Sequence, residues 1–166
     1  IWRICRGREK GRCGGQKYHL LTLHRSGLRC GLLYQTWLVP LVFDYERNRL
    51  WLEETVDNRV RMKLKVFGFK PVITLDSDQI RLVESFYNEA KSLEKVLQLV
   101  AAENQRRPKR LRRIGIEYRG AVAYRQALNL KNKLQVKYPR VPVSLHVAGS
   151  VTVAKFGTEL IGVCII

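Results

Sequence analysis

The sequence is short of the side chains from which most active sites are built: 166 residues hold 3 His, 4 Cys and 1 Met. Cys5, Cys13, Cys30 and Cys164 form no C-x-x-C pair, which excludes a dithiol redox turn, and a zinc set drawn from Cys5, Cys13, His24 and Cys30 has irregular spacing. Isolated thiols are the simpler reading, and Cys164, inside the last apolar run, reads as a small buried hydrophobe. No phosphate-binding glycine loop, Ser/His/Asp arrangement or metal-ligand cluster is present, so no catalytic residue, metal or cofactor is expected. The longest apolar stretch, Gly31 to Phe43, contains Gln35 and Pro40 and falls short of the roughly 20 residues of a membrane span. It is expected to form a strand pair or to dock on a partner. There is no secretory signal pattern, internal repeat or low-complexity tract.

Acid is scarce as well. Asp and Glu number 14 against 31 Lys and Arg, a formal charge of +17. A surplus of that size points to a polyanion: RNA, DNA or an anionic membrane. It is concentrated in two stretches. The first contains Arg3, Arg6, Arg8, Lys10 and Arg12, with Glu9 its only acid; the second contains Arg106, Arg107, Lys109, Arg110, Arg112 and Arg113 around the helix-breaking Pro108. Guanidiniums at this density suit bidentate, salt-dependent phosphate contact, and these residues form the candidate RNA-binding set. An Arg-rich, acid-poor start also has the character of a mitochondrial presequence, though without its serines. Met62 marks a composition shift, since all three Trp and three of the four Cys precede it. The expected organisation is a basic N-terminal extension over 1–61 and a domain over 62–166.

Glu53, Glu54 and Asp57 have no histidine nearby and suit a solvated loop or helix end. Met62, Leu64 and Val66 alternate with lysines, a strand pattern closed by Gly68 or Pro71. Asp76 and Gln79 stand at capping-box spacing ahead of Ile80, Val83, Tyr87, Ala90, Leu93, Leu97 and Val100, which predicts a long helix over about 77–103. Ile114, Ile116 and Tyr118 then alternate as a strand, Arg119-Gly120 turns, and Ala121, Tyr124, Leu128, Lys131 and Leu134 follow helical spacing until Tyr138-Pro139. Val141, Val143, Leu145 and Val147 give a second strand, parallel to the first because a helix crosses between them. Val151 to Phe156 reads as a third strand, and Gly157-Thr158 as a hairpin into the apolar run from Leu160 to Ile166.

Over Ile114 to Gly162 the chain resembles two thioredoxin-like families. Tyr118-Arg119-Gly120-Ala121-Val122-Ala123-Tyr124, Leu128-Asn129-Leu130-Lys131 and Tyr138-Pro139 are similar to the redox turn, helix and terminal aromatic-Pro pair of selenoprotein W. Arg119 and Val122 stand where that family has its redox atoms, so its chemistry does not transfer. Arg112-Arg113 before the strand and Tyr138-Pro139-Arg140-Val141-Pro142-Val143 after the helix resemble a family with members among mitochondrial ribosomal proteins and a respiratory complex I accessory subunit. The resemblance implies an α/β fold, a thioredoxin-like βαββ sheet preceded by a long helix. It further implies a mitochondrial, non-catalytic component of a large ribonucleoprotein, with rRNA and neighbouring ribosomal proteins as partners and no small-molecule substrate. The alternatives are an accessory subunit of a respiratory complex, which the charge disfavours, and a thiol redox protein.

Overall fold

The structure, a computed structural model, describes residues 35–76, 79–106 and 111–165. It is a mixed α/β fold in which five helices flank a six-stranded sheet. The strands are β1 (Gln35–Pro40), β2 (Lys70–Asp76), β3 (Gln79–Phe86), β4 (Ile114–Arg119), β5 (Val143–Val147) and β6 (Leu160–Ile165), in the spatial order β3-β2-β1-β6-β4-β5. Only β4 and β5 pair in parallel; the other neighbours are antiparallel. The helices are α1 (Tyr45–Thr55), α2 (Asn58–Val66), α3 (Glu89–Arg106), α4 (Ala121–Lys137) and α5 (Ser150–Phe156).

Alternation along the strands sorts their side chains onto two faces. Trp37 and Val39, Ile114 and Ile116, and Ile161 and Val163 point one way, against Leu93, Val96 and Val100 of α3 and Ala123, Ala127, Leu130 and Leu134 of α4. Leu38, Ile73, Leu75 and Leu160 point the other way, where Phe156 of α5 and Trp51 of α1 cover them. Each fully buried Leu, Ile or Phe contributes about 1.5–3 kcal/mol relative to exposure. The second face changes character toward β4 and β5. Register places Leu38, Gly162, Glu117 and His146 in one row across β1, β6, β4 and β5, and Thr36, Cys164, Gly115 and Ser144 in the next. Gly162 leaves room there for Leu38, since a Cβ at 162 would come within 2.7 Å of the Leu38 Cδ2 methyl and force that buried side chain to shift.

Several expectations change. Gln35–Pro40, from the stretch assigned to the extension, is a central strand between β2 and β6, and Met62 lies inside α2. The strand expected from Met62 is a helix because Asp57 caps it, its Oδ1 accepting from the N–H groups of Arg59 at 2.9 Å and Val60 at 3.1 Å. The helix expected over 77–103 starts at Glu89. Asp76 and Gln79 face each other as the paired ends of β2 and β3, and Asn88 supplies the cap instead, accepting from Ala90 N–H at 2.8 Å. Ile80, Val83 and Tyr87 fit helical spacing, but the first two belong to β3 and the third follows it. Val151 to Phe156 is α5, where burial of Thr152 and Phe156 four residues apart sets the helical face. The βαββ description therefore fails: a helix stands between β5 and β6, and β6 inserts between β1 and β4.

Candidate functional site

β4 and β5 run side by side in parallel, yet their connections leave on opposite faces: β4 leads into α4 on one, β5 into α5 on the other. Where adjacent parallel strands diverge in this way, open α/β sheets take ligands in the crevice outside their carboxyl ends, which makes this position the candidate site. The turn into α4 is built by Gly120, whose φ of 95° is open to glycine and strained for other residues. The Glu159 carboxylate lies directly over it, where any side chain at 120 would collide, and Glu159 Oε2 accepts from Ala123 N–H at 3.2 Å. A carboxylate from the α5–β6 connection thus caps α4, where the helix dipole favours negative charge. The same residue's carbonyl accepts from Leu41 N–H at 2.8 Å, tying the end of β1 to this edge.

The crevice margin is apolar and wet. Val147 at the end of β5 is 57% exposed, Val151 in the first turn of α5 54%, Val122 in the first turn of α4 48% and Tyr124 44%. Tyr118 and Tyr124 hold their ring centroids 5.0 Å apart beside the turn. Behind the crevice α5 is locked to α1: Arg47 Nη1 donates to Ala154 O at 3.1 Å, and Asn48 Nδ2 donates to Lys155 O at 3.3 Å. Burial lowers the Lys155 ammonium below its usual value. Thr152 is buried and its hydroxyl has no partner among the described residues.

Deeper in the same face lie Glu117 and Cys164. Burial raises the Glu117 carboxyl from 4.5 to about 7. Cys164 is buried as expected, and burial pushes its thiol up to about 11, with a hydrogen bond from Thr36 acting against the rise and the Glu117 charge adding to it. His146, on the neighbouring strand, shares a 2.8 Å hydrogen bond with Ser144 Oγ. Among the described residues no group of three or more His, Cys, Asp or Glu is placed to hold a metal ion.

The candidate RNA-binding residues lie elsewhere. Arg3, Arg6, Arg8, Lys10, Arg12, Arg107, Lys109 and Arg110 fall outside the described residues. Arg106 ends α3, and Arg112 and Arg113 are exposed just before β4, at the sheet edge opposite the crevice. Arg119 and Val122, at the positions of the redox atoms in selenoprotein W, are exposed side chains of the crevice margin. The Glu159 cap carried no sequence signal, since it reaches α4 from 36 residues away.

An open mixed sheet with helices on both faces, which part at the carboxyl ends of the parallel pair β4 and β5, defines an α/β domain of the doubly covered class. The family model described as "Uncharacterised protein, DegV family" matches residues 63–166, more than half of the chain, and the chain belongs to the DegV family. Solved structures share the fold. A DegV-family protein from Ruminococcus gnavus, solved with vaccenic acid, is 16% identical at a TM-score of 0.62, the match covering 80% of this chain and 44% of that one. A fatty-acid-binding DegV-family protein from Streptococcus agalactiae is 19% identical at 0.60, with the same coverage of 80% and 44%. DegV from Bacillus subtilis, a fatty-acid-binding protein, is 18% identical at 0.57, again covering 80% and 44%. The chain spans less than half the length of these proteins. No curated protein matches it by sequence.

These relatives overturn the thioredoxin-like resemblance, both to selenoprotein W and to the ribosomal and complex I family. With it fall the ribonucleoprotein role, the rRNA and ribosomal-protein partners, the respiratory-complex and thiol redox alternatives, and the mitochondrial placement, since the relatives are bacterial. Relatives described with fatty acids also stand against the expectation of no small-molecule ligand. The cause is generic geometry: β4-α4-β5 is a crossover that any parallel pair requires, so its turn and terminal proline do not separate one α/β family from another.

Proposed function

We propose that this chain is one domain of a fatty-acid-binding protein and that the crevice at the ends of β4 and β5 receives part of the acyl ligand. The observation that carries the reading is membership of the DegV family, whose structural relatives include proteins described as fatty-acid binding. The chemistry of the candidate site supports it: Val122, Tyr124, Val147 and Val151 offer apolar surface to water where α4 and α5 part. Each such side chain covered by an acyl chain contributes on the order of 1 kcal/mol or more. In this reading the domain carries its ligand and does not transform it.

The test is direct. The purified chain is stripped of lipid and titrated with oleate while its tryptophan emission is followed, and lipids extracted from the unstripped protein are identified by mass spectrometry. Fatty acid in the extract together with a saturable change on titration supports the reading. No recovered fatty acid and no saturable change contradicts it.

A further inference from the structure

Beneath α5 the fold buries two polar side chains where apolar ones would fit. Ala148, just ahead of the helix, donates its N–H to Tyr118 O at 2.8 Å over the end of β4, and Phe156, at the far end, packs among Leu38, Ile73 and Leu160. Thr152 is four residues from each and is seated between these two anchors. The sheet positions that face it are Glu117 of β4 and Gly162 of β6, in the row of Leu38. Thr152 is 1% exposed and Glu117 7%. Among the described residues the Thr152 hydroxyl has no hydrogen-bond partner. Burial alone accounts for the raised Glu117 carboxyl, with no hydrogen bond or opposite charge holding it.

Folds rarely keep such groups unpaired; nearly all buried hydroxyls find a protein, water or ligand partner. Valine is close in size to threonine and would bring no unpaired group to position 152. The neutral carboxyl offers an O–H donor and an acceptor oxygen, and the threonine hydroxyl a donor and two lone pairs. One hydroxyl placed between them serves both. A methylene serves neither.

We propose that this domain takes acyl chains that carry a hydroxyl group, and that Thr152 and Glu117 hold that hydroxyl. The proposal rests on the fatty-acid reading and adds a polar group that the ligand must bring. Access is short, since Thr152 follows Val151, which is 54% exposed where α4 and α5 part. The side-chain hydrogen bonds from α1 end on the carbonyls of Ala154 and Lys155, in the second half of α5, and leave its first turn to apolar contacts. The ligand's own carboxylate is the poorer occupant, because Thr152, Glu117, Gly162 and Leu38 supply no cation to balance a buried charge. Sites built to hydrogen-bond a hydroxyl discriminate against the analogue that lacks it, whose binding leaves their own groups unpaired.

The experiment titrates the lipid-stripped full chain with oleate and with ricinoleate, which is oleate with one hydroxyl added along the chain. Trp51 belongs to the cluster around Phe156, and its emission follows both titrations. Ricinoleate should bind roughly ten-fold more tightly. In a series of hydroxystearates substituted at successive carbons, the gain should peak at one position and fade on either side. Thr152→Val should bring oleate and ricinoleate within about two-fold of each other, while Thr152→Ser, which keeps the hydroxyl, should retain the preference. Circular dichroism confirms that the variants fold. Saturable oleate binding with no preference for any hydroxylated acid would overturn this proposal and leave the fatty-acid reading standing; no binding of any of the acids would remove both. A preference that survives Thr152→Val, or a substitution that shifts both affinities equally because an ordered water fills the space, would also overturn it.

Discussion

The two edges of the sheet are built from different materials. At the amino end of β4 the chain arrives through Leu111, Arg112 and Arg113, and the neighbouring ends are the Gln35 end of β1 and the Ile165 end of β6. At the carboxyl end, a glycine turn, a borrowed carboxylate and exposed Val122, Tyr124, Val147 and Val151 surround the point where α4 and α5 part. Counting charge alone draws attention to the first edge. The second is where geometry leaves apolar side chains in water and where a turn requires glycine, and exposed apolar patches of this kind are the ones that mark binding surfaces.

The comparison can be sharpened by substitutions, beginning with the largest expected effect. Glu117 lies two residues in from the carboxyl end of β4, and burial raises its carboxyl to about 7. A carboxyl whose folded value lies above its ordinary 4.5 stays protonated in the folded chain at pH values where the unfolded chain has already released the proton. Stability therefore falls as pH rises from about 4.5 to 7 and levels off above that, by up to about 3 kcal/mol. Glu117→Gln should remove this slope and make the chain more stable at pH 8, read from urea unfolding midpoints at several pH values. An unchanged slope would assign the pH dependence to other groups.

Gly120→Ala should cost about 2 kcal/mol, because it places a side chain at a positive φ and displaces the Glu159 carboxylate from the α4 terminus. Thermal unfolding measures it, and a loss below about 0.5 kcal/mol would mean that the turn relaxes freely. Val147→Asp should weaken oleate binding about ten-fold with little change in stability, since the side chain is already half in water. At the other edge Arg112→Gln with Arg113→Gln should change oleate affinity less than about two-fold. Should the last pair weaken binding more than Val147→Asp does, the assignment of the two edges would be reversed.

The sequence carried the crevice half of the fold more clearly than the rest. Period-2 alternation at Ile114, Ile116 and Tyr118, the Arg119-Gly120 turn and the stop at Tyr138 correspond to β4, the turn and α4 within a residue or two. These signals are local. β3 and α5 were misread because β-branched and apolar residues there satisfy both periods, and the choice is made by tertiary burial: Ile80 packs against the Leu38 cluster, and Thr152 and Phe156 turn inward together. α2 was misread because its inward residue, Leu64, belongs to the same alternating set as Met62 and Val66, which face out; only the Asp57 cap distinguishes helix from strand. The candidate site itself depends on α4 and α5 taking opposite faces, a relation between two helices separated by β5 that no local pattern encodes.

Hydrogen exchange of the chain with and without oleate tests the central claim most directly. The expected result is slowed exchange of the amides from 118 to 124 and from 147 to 153, around the divergence of α4 and α5, with 111–113 unchanged. Saturable oleate binding that leaves those two segments unprotected, or that protects the amino edge of β4 instead, would contradict the placement of the ligand in this crevice.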